Sequence, residues 1–218
     1  MCKLFFSAYL TVLVSFFLLS TVSLCGQNQY SYNYSGSYLI EHYSSETYGS
    51  SAQIWSATSD DRDIMFFGSN RHLLVYDGAT WEKYQARNKS IFRSLAVDSN
   101  NLVYAGSYNE FGVFVPDSLG GYQYRSLSKR LPDSLQKLRD IWKTHCTSHG
   151  VYFVTTSKIY RYHNDSLTVV PNDVYPLFGF DIDDVVWFID AQNGLAKIEN
   201  GKVSVVPGTE MFANRRKG

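Results

Sequence analysis

Three groups of residues have the types and spacing that chemistry would need. His145, Cys146 and His149 form the densest run of metal-type ligands in the sequence. A zinc site takes about four ligands in tetrahedral reach, and successive side chains on an extended strand point to opposite faces. His145 and Cys146 therefore do not readily share one ion, and the run reads as polar residues flanking a turn, with no metal and no cofactor expected. The acidic pairs Asp60-Asp61 and Asp183-Asp184 have the composition of a calcium loop or of paired hydrolytic carboxylates. Calcium needs further oxygen ligands at fixed intervals, which neither pair has. Each pair lies between apolar runs, where Asp steadies a turn by bonding its own backbone. The chain is rich in Ser, but no nucleophile elbow gives a Ser/His/Asp arrangement specificity. We therefore assign no catalytic residue.

The third group, polar and aromatic, needs its elements before it can be placed. The stretch Phe92 to Leu127 reads as FRSLAVDSNN, LVYAGSYNE, FGVFVPDSLGG and YQYRSL, four short strand-like pieces separated by Asp, Asn, Gly and Pro. A four-stranded antiparallel unit with both faces partly apolar cannot bury them alone and demands neighbouring copies. Its neighbours can be laid over it. The equivalent positions Gly68, Gly106, Thr155 and Asp190 recur at intervals of 38, 49 and 35 residues, the period of propeller blades and not of helical repeats. The longest interval holds the insertion SKRLPDSLQKLR (Ser128 to Arg139), expected to carry one or two helical turns. The fold expected is all-β, a β-propeller of about four four-stranded blades over residues 54–85, 91–127, 139–172 and 177–208. Short strands at regular spacing also suit a β-sandwich. Asp77-Gly78 is the strongest hairpin signal in the first blade, expected as a type I′ turn. The turns joining second to third and fourth to first strands then carry Asn70, Arg71, Tyr108, Asn109, Glu110, Lys158 and Gln192. Stacking and bidentate hydrogen bonding from such a set suit a small ligand, an oligosaccharide or a peptide. Trp55, Trp142 and Trp187 are expected to pack between blades.

The 218 residues are 44% hydrophobic and include 17 Tyr and 14 Phe, which favours strands. Lys plus Arg equals Asp plus Glu at 20 each, so the charge gives no case for a nucleic-acid partner. Lys3 followed by the apolar run Leu4 to Leu19 and a small, polar Ser20 to Gly26 reads as a signal peptide over residues 1–26, a helix that would act as a membrane anchor if uncleaved. Residues 27–53 are expected as an extended leader. With Cys2 and Cys25 in the targeting segment, only Cys146 is left to the mature chain, and no intramolecular disulfide is expected. Export to the periplasm or cell surface of a Gram-negative bacterium follows.

The run from His42 to Tyr84 resembles the first blade of the two-component regulator propeller proteins of Bacteroidetes. The likeness is carried by Tyr43, Ser44, Tyr48, Gln53, Trp55, Ser56, Phe67, Gly68, Asn70, Leu73, Leu74, Tyr76, Asp77, Gly78 and Trp81, and in the second blade by Asn109, Glu110, Phe111, Gly112, Pro116 and Asp117. His72 departs from it, standing where the family has Gly. The resemblance implies an exported, ligand-binding sensor propeller, the N-terminal part of the ectodomain of a hybrid histidine kinase or a DNA-binding regulator, and a chain that is not an enzyme. The alternatives are an exported propeller enzyme acting on carbohydrate, or a truncated, inactive product. Residues 210–218 are expected to begin a fifth blade, with Met211, Phe212 and Ala213 starting its first strand. Such a ring is incomplete, and a dimer or neighbouring blades would have to cover its open face; leaving about 400 Å² of apolar surface bare there forfeits about 10 kcal/mol.

Overall fold

The computed structural model describes residues 40–86 and 88–213. The expected signal peptide, the first part of the leader (residues 27–39) and residues 214–218 lie outside the described residues. Residues 40–42 belong to a unit separate from the one that begins at Tyr43, and they contain no helix or strand. Among the described residues no helix is long and apolar enough to cross a membrane.

From Ile54 onward, short apolar runs closed by turn residues build four antiparallel sheets of four strands, each a simple meander. Blade 1 is β1 (Ile54–Ser59), β2 (Met65–Ser69), β3 (Leu73–Tyr76) and β4 (Trp81–Tyr84). Blade 2 is β5 (Phe92–Val97), β6 (Val103–Ser107), β7 (Glu110–Pro116) and β8 (Tyr122–Ser126). Blade 3 is β9 (Lys143–Thr147), β10 (Gly150–Val154), β11 (Ile159–His163) and β12 (Ser166–Val170). Blade 4 is β13 (Pro176–Ile182), β14 (Val185–Asp190), β15 (Gly194–Glu199) and β16 (Lys202–Val205). The first strands are the inner ones: β5 packs against both β1 and β9, and β13 against β9. This is a β-propeller, as expected from the repeat spacing, and not the β-sandwich that the spacing also suited.

Strand alternation sends one set of side chains from each blade into the next, giving three cores. Phe66, Leu73 and Val75 meet Phe92, Val103 and Phe114 between blades 1 and 2. Tyr104, Phe111 and Val113 meet Val151, Phe153 and Tyr160 between blades 2 and 3. Tyr152, Val154 and Ile159 meet Val186, Phe188 and Ile198 between blades 3 and 4. Blade 2 approaches blade 3 so closely at Gly106 that an added Cβ would lie 2.5 Å from the Ile141 side chain.

The outer face of blade 1 has its own cover. Phe67, Tyr76 and Trp81 point away from blade 2, with Tyr76 stacked on Trp81 at 4.6 Å. Tyr43, before the short helix α1 (Ser45–Tyr48), and Tyr48, its last residue, close over Trp81 at 5.3 and 5.5 Å, and the Tyr43 and Tyr76 hydroxyls bond at 2.6 Å. Five of the residues that carry the family resemblance are thus one aromatic cluster, and their shared task is to cap the first blade.

Three expectations are corrected. The turn after Asp77 has positive φ at Gly78 (95°) and not at Ala79, which is the glycine-first, type II′ pattern and not I′; Asp77 flanks it and accepts the Ala79 and Thr80 N–H groups. The repeat register falls one residue later in the first two blades: Ser69 and Ser107, not Gly68 and Gly106, match Thr155 and Asp190, since these four close the second-to-third-strand turns. Met211 and Phe212 do not begin a strand. Residues Glu210–Phe212 form a 3-10 turn packed on β15, held there because Thr209 Oγ1 accepts the Leu195 N–H at 2.9 Å. The insertion after β8 does carry two short turns, both 3-10 (Ser128–Arg130 and Asp133–Leu135), and buries Leu131 and Leu138 in the second core.

Candidate functional site

The inner strands enter the fold with an irregularity at the same place. In β1 the pairing with β2 slips by one residue between Ile54 and Ser56, and in β5 the pairing with β6 slips between Phe92 and Ser94. The extra residues are Trp55 and Arg93, and a bulge re-aims its side chain out of the regular alternation. In blade 3 the matching residue is Trp142, just before β9, whose N–H reaches the Val154 carbonyl. These three side chains meet. The Arg93 guanidinium lies 4.0 Å from the Trp55 ring centroid and 5.0 Å from that of Trp142.

An indole–guanidinium–indole stack of this kind is held by cation–π attraction and fixed by hydrogen bonds at its edges. Arg93 Nε donates to Asp140 Oδ1 at 3.0 Å, and Trp55 Nε1 donates to Asn70 Oδ1 at 2.6 Å. The Arg93 side chain is 14% exposed, whereas Trp55 and Trp142 are 42% and 41% exposed. Rings of this size left half open at the mouth of the inner strands make a stacking platform. It lies beside the second-to-third-strand turns, since Tyr108 bridges to Asp140 through the backbone and is itself 55% exposed.

The sequence-derived residues divide around this platform. Asn70 and Tyr108 are brought to it. Asn109 is locked in the left-handed region (φ 55°); its side-chain oxygen accepts the Leu138 N–H at 2.8 Å and its N–H donates to the Arg139 carbonyl at 2.7 Å, so the insertion pins this turn. Arg71, Lys158 and Gln192 are exposed on or beside the equivalent turns of blades 1, 3 and 4. Glu110 is not an exposed loop carboxylate. It opens β7, is 6% exposed, and accepts hydrogen bonds from the hydroxyls of Tyr124, Ser126 and Ser128 at 3.0, 2.7 and 2.8 Å. Three donors compensate the cost of its burial, so its task is to join β7, β8 and the insertion. Trp55 and Trp142, expected as inter-blade packing, are instead the open faces of the stack. Trp187 is half-buried on blade 4, with Lys197 Nζ 5.6 Å from its ring.

The other reactive-looking groups have structural partners. His145 Nδ1 lies 3.0 Å from Asp181 Oδ1 across the blade 3–blade 4 boundary, and the imidazole partner holds the Asp181 carboxyl below its usual range. Cys146 faces the second core, and burial pushes its thiol well up. Asp183 and Asp184 both have positive φ (50° and 66°) between paired Ile182 and Val185, a type I′ hairpin. Among the described residues no group of three or more His, Cys, Asp or Glu side chains is placed to hold a metal ion.

The class defined is thus a multi-blade propeller with an aromatic platform at the mouth of its inner strands. No family model and no curated protein matches the chain. Solved structures do. Virginiamycin B lyase from Staphylococcus aureus is similar over 71% of this chain and 56% of that one, at 17% identity and a TM-score of 0.54. The extracellular domain of a putative one component system from B. thetaiotaomicron is similar over 71% of this chain and 21% of that one, at 19% identity and a TM-score of 0.53; a second structure of it, described as a hybrid two component system, gives 0.51. The chain thus spans about half the length of the lyase and about a fifth of the extracellular domain. At these identities the likeness is one of fold. It agrees with the family resemblance in the sequence, and it overturns the expectation that the chain is not an enzyme: the same fold is that of a lyase, because blades are a scaffold whose turns can host chemistry as well as recognition.

Proposed function

We propose that this chain is the ligand-recognising propeller of an exported sensor, the N-terminal part of a two-component or transcriptional regulator ectodomain. The observation that carries the reading is the Trp55–Arg93–Trp142 stack, with two indoles open to solvent and hydrogen-bonding turns around it. Support for the sensor context comes from the resemblance of blades 1 and 2 and from the extracellular domains among the solved structures of like fold. Open indole faces favour a ligand with flat apolar surfaces and polar edges, an oligosaccharide or a peptide. Asn70, bonded to Trp55, and Tyr108, bridged to Asp140, border the platform, and in this reading the exposed Arg71, Lys158 and Gln192 and the turn residue Asn109 supply further polar contacts to the ligand.

Calorimetric titration of the folded chain with panels of oligosaccharides and peptides tests this. Binding that weakens tenfold or more in both Trp55→Ala and Trp142→Ala, with the near-ultraviolet spectrum otherwise kept, supports it. Absence of heat with every panel member would sink the platform as a recognition site. Chromatography of the same mixtures reads turnover; cleaved ligand would move the chain from sensing to catalysis.

A further inference from the structure

Blade 4 has two faces, and among the described residues only one of them is covered by another blade. Gly179 and Asp181 of β13 point at His145 of blade 3, so alternation turns Phe180 and Ile182, 47% and 53% exposed, the other way. Phe178, 68% exposed, precedes them in the irregularity between Pro176 and Gly179. Trp187 of β14 and Leu195 of β15 are half-buried on the same side, since their neighbours Val186, Phe188 and Ala196 fill the third core. The result is a largely apolar sheet face, crossed by Lys197, whose ammonium lies 5.6 Å from the Trp187 ring, and apolar faces of this kind mark interaction surfaces.

We propose that this face is the docking surface for a further four-stranded propeller blade. The chain itself supplies the pattern. In blades 1, 2 and 3 the corresponding face is covered by the blade that follows, and each boundary is an apolar core. Blade 4 repeats the receiving face without a following blade among the described residues. A second copy of the chain fits less well. Its blade 4 would bring an identical face rather than the following-blade face used at all three boundaries, and its blade 1 is already closed by Tyr43 and Tyr48 over Trp81. The solved structures of this fold, matched over only 56% and 21% of their length, extend beyond the part this chain resembles.

The test places a thiol on the face. In a Phe180→Cys chain that also carries Cys2→Ser and Cys25→Ser, the remaining native thiol, Cys146, is largely buried with its ionisation suppressed, so maleimide reports on position 180. Its rate is measured in the full chain over a hundredfold range of protein concentration, and again with copies of residues 139–172 and of residues 177–208 fused separately after Ala213. Fast, concentration-independent labelling of the unfused chain, slowed tenfold or more by at least one fused blade, is the expected result. Labelling that slows as concentration rises assigns the face to a second copy and overturns the proposal. Slow labelling at every concentration means the chain covers the face itself, and unchanged labelling in both fusions means a blade does not; either overturns it.

Discussion

Arg93 connects three blades through one side chain, with an indole from blade 1 on one side, an indole from blade 3 on the other, and Asp140 at its edge. Arg93→Ala is expected to cost about 2 kcal/mol from the lost cation–π and ionic contacts, read by urea denaturation with tryptophan emission. Arg93→Lys should recover only part of it, because a point charge does not stack as a plane does. His72 gives a pH prediction. Burial first, then the charges of Lys83 and Arg71, pulls its imidazole below the ordinary value; Gln85 and Ser50 hold its two ring nitrogens at 3.1 and 2.8 Å. In the unfolded chain the ring titrates at about 6.5. Between that pH and the lower folded value only the unfolded form takes up the proton, so this contribution is complete above about 6.5 and is lost as pH falls through the window. The fall in urea midpoint between pH 7.5 and pH 5.5 should therefore be smaller in His72→Gln than in the parent; an equal fall refutes the assignment. The role of Arg93 was hidden in the sequence for a physical reason. Trp55, Arg93 and Trp142 share a repeat position, one past Ile54, Phe92 and Ile141, but a bulge decides that this position turns to the mouth and not between the blades. Aligning the blades residue by residue would have exposed the Trp, Arg, Trp series. Glu110 was misplaced for the opposite reason: a charged residue beside a turn reads as exposed, and only the three hydroxyls supplied by β8 and the insertion make its burial tolerable.

At the scale of elements, strand existence and order were legible because alternation and turn residues agree with one another. Turn type, exact register and the shape of the insertion were not, since these depend on which neighbour the element meets. Gly106 illustrates this. Its φ is ordinary, so nothing local asks for glycine; Ile141 and Ser94 leave no room for a Cβ. Gly106→Ala should destabilise the chain by about 1–3 kcal/mol through overpacking, measured as a loss in urea midpoint at constant slope. The insertion is tied down just as firmly by Leu138, which is 4% exposed. Leu138→Ala is expected to cost about 3 kcal/mol and to loosen the Tyr108–Asn109 turn that it backs. Faster exchange of the Asn109 amide, which donates to Arg139, would register that loosening.

At the scale of the whole molecule, stability is distributed by neighbours. Among the described residues, blades 2 and 3 are packed on both faces by other blades, blade 1 on one face with an aromatic cap on the other, and blade 4 on one face only. In a repeat array, local stability is the sum of a unit's own terms and its boundaries. Native-state hydrogen exchange should therefore rank the amides of β14 and β15 well below those of β6 and β10 in protection. Equal protection would show that the blades unfold as one unit and that the bare face carries no cost.

The aromatic cap on blade 1 also bears on how the chain comes off the ribosome. Tyr43 and Tyr48 are synthesised before the strands they cover, so blade 1 can be closed on its outer side as soon as β4 emerges. Each later blade then buries the one raw face left by its predecessor and presents one of its own. A growing chain built this way never exposes more than a single sticky sheet, whatever the number of blades already made, and its hazard of misassembly stays level during synthesis instead of rising with length.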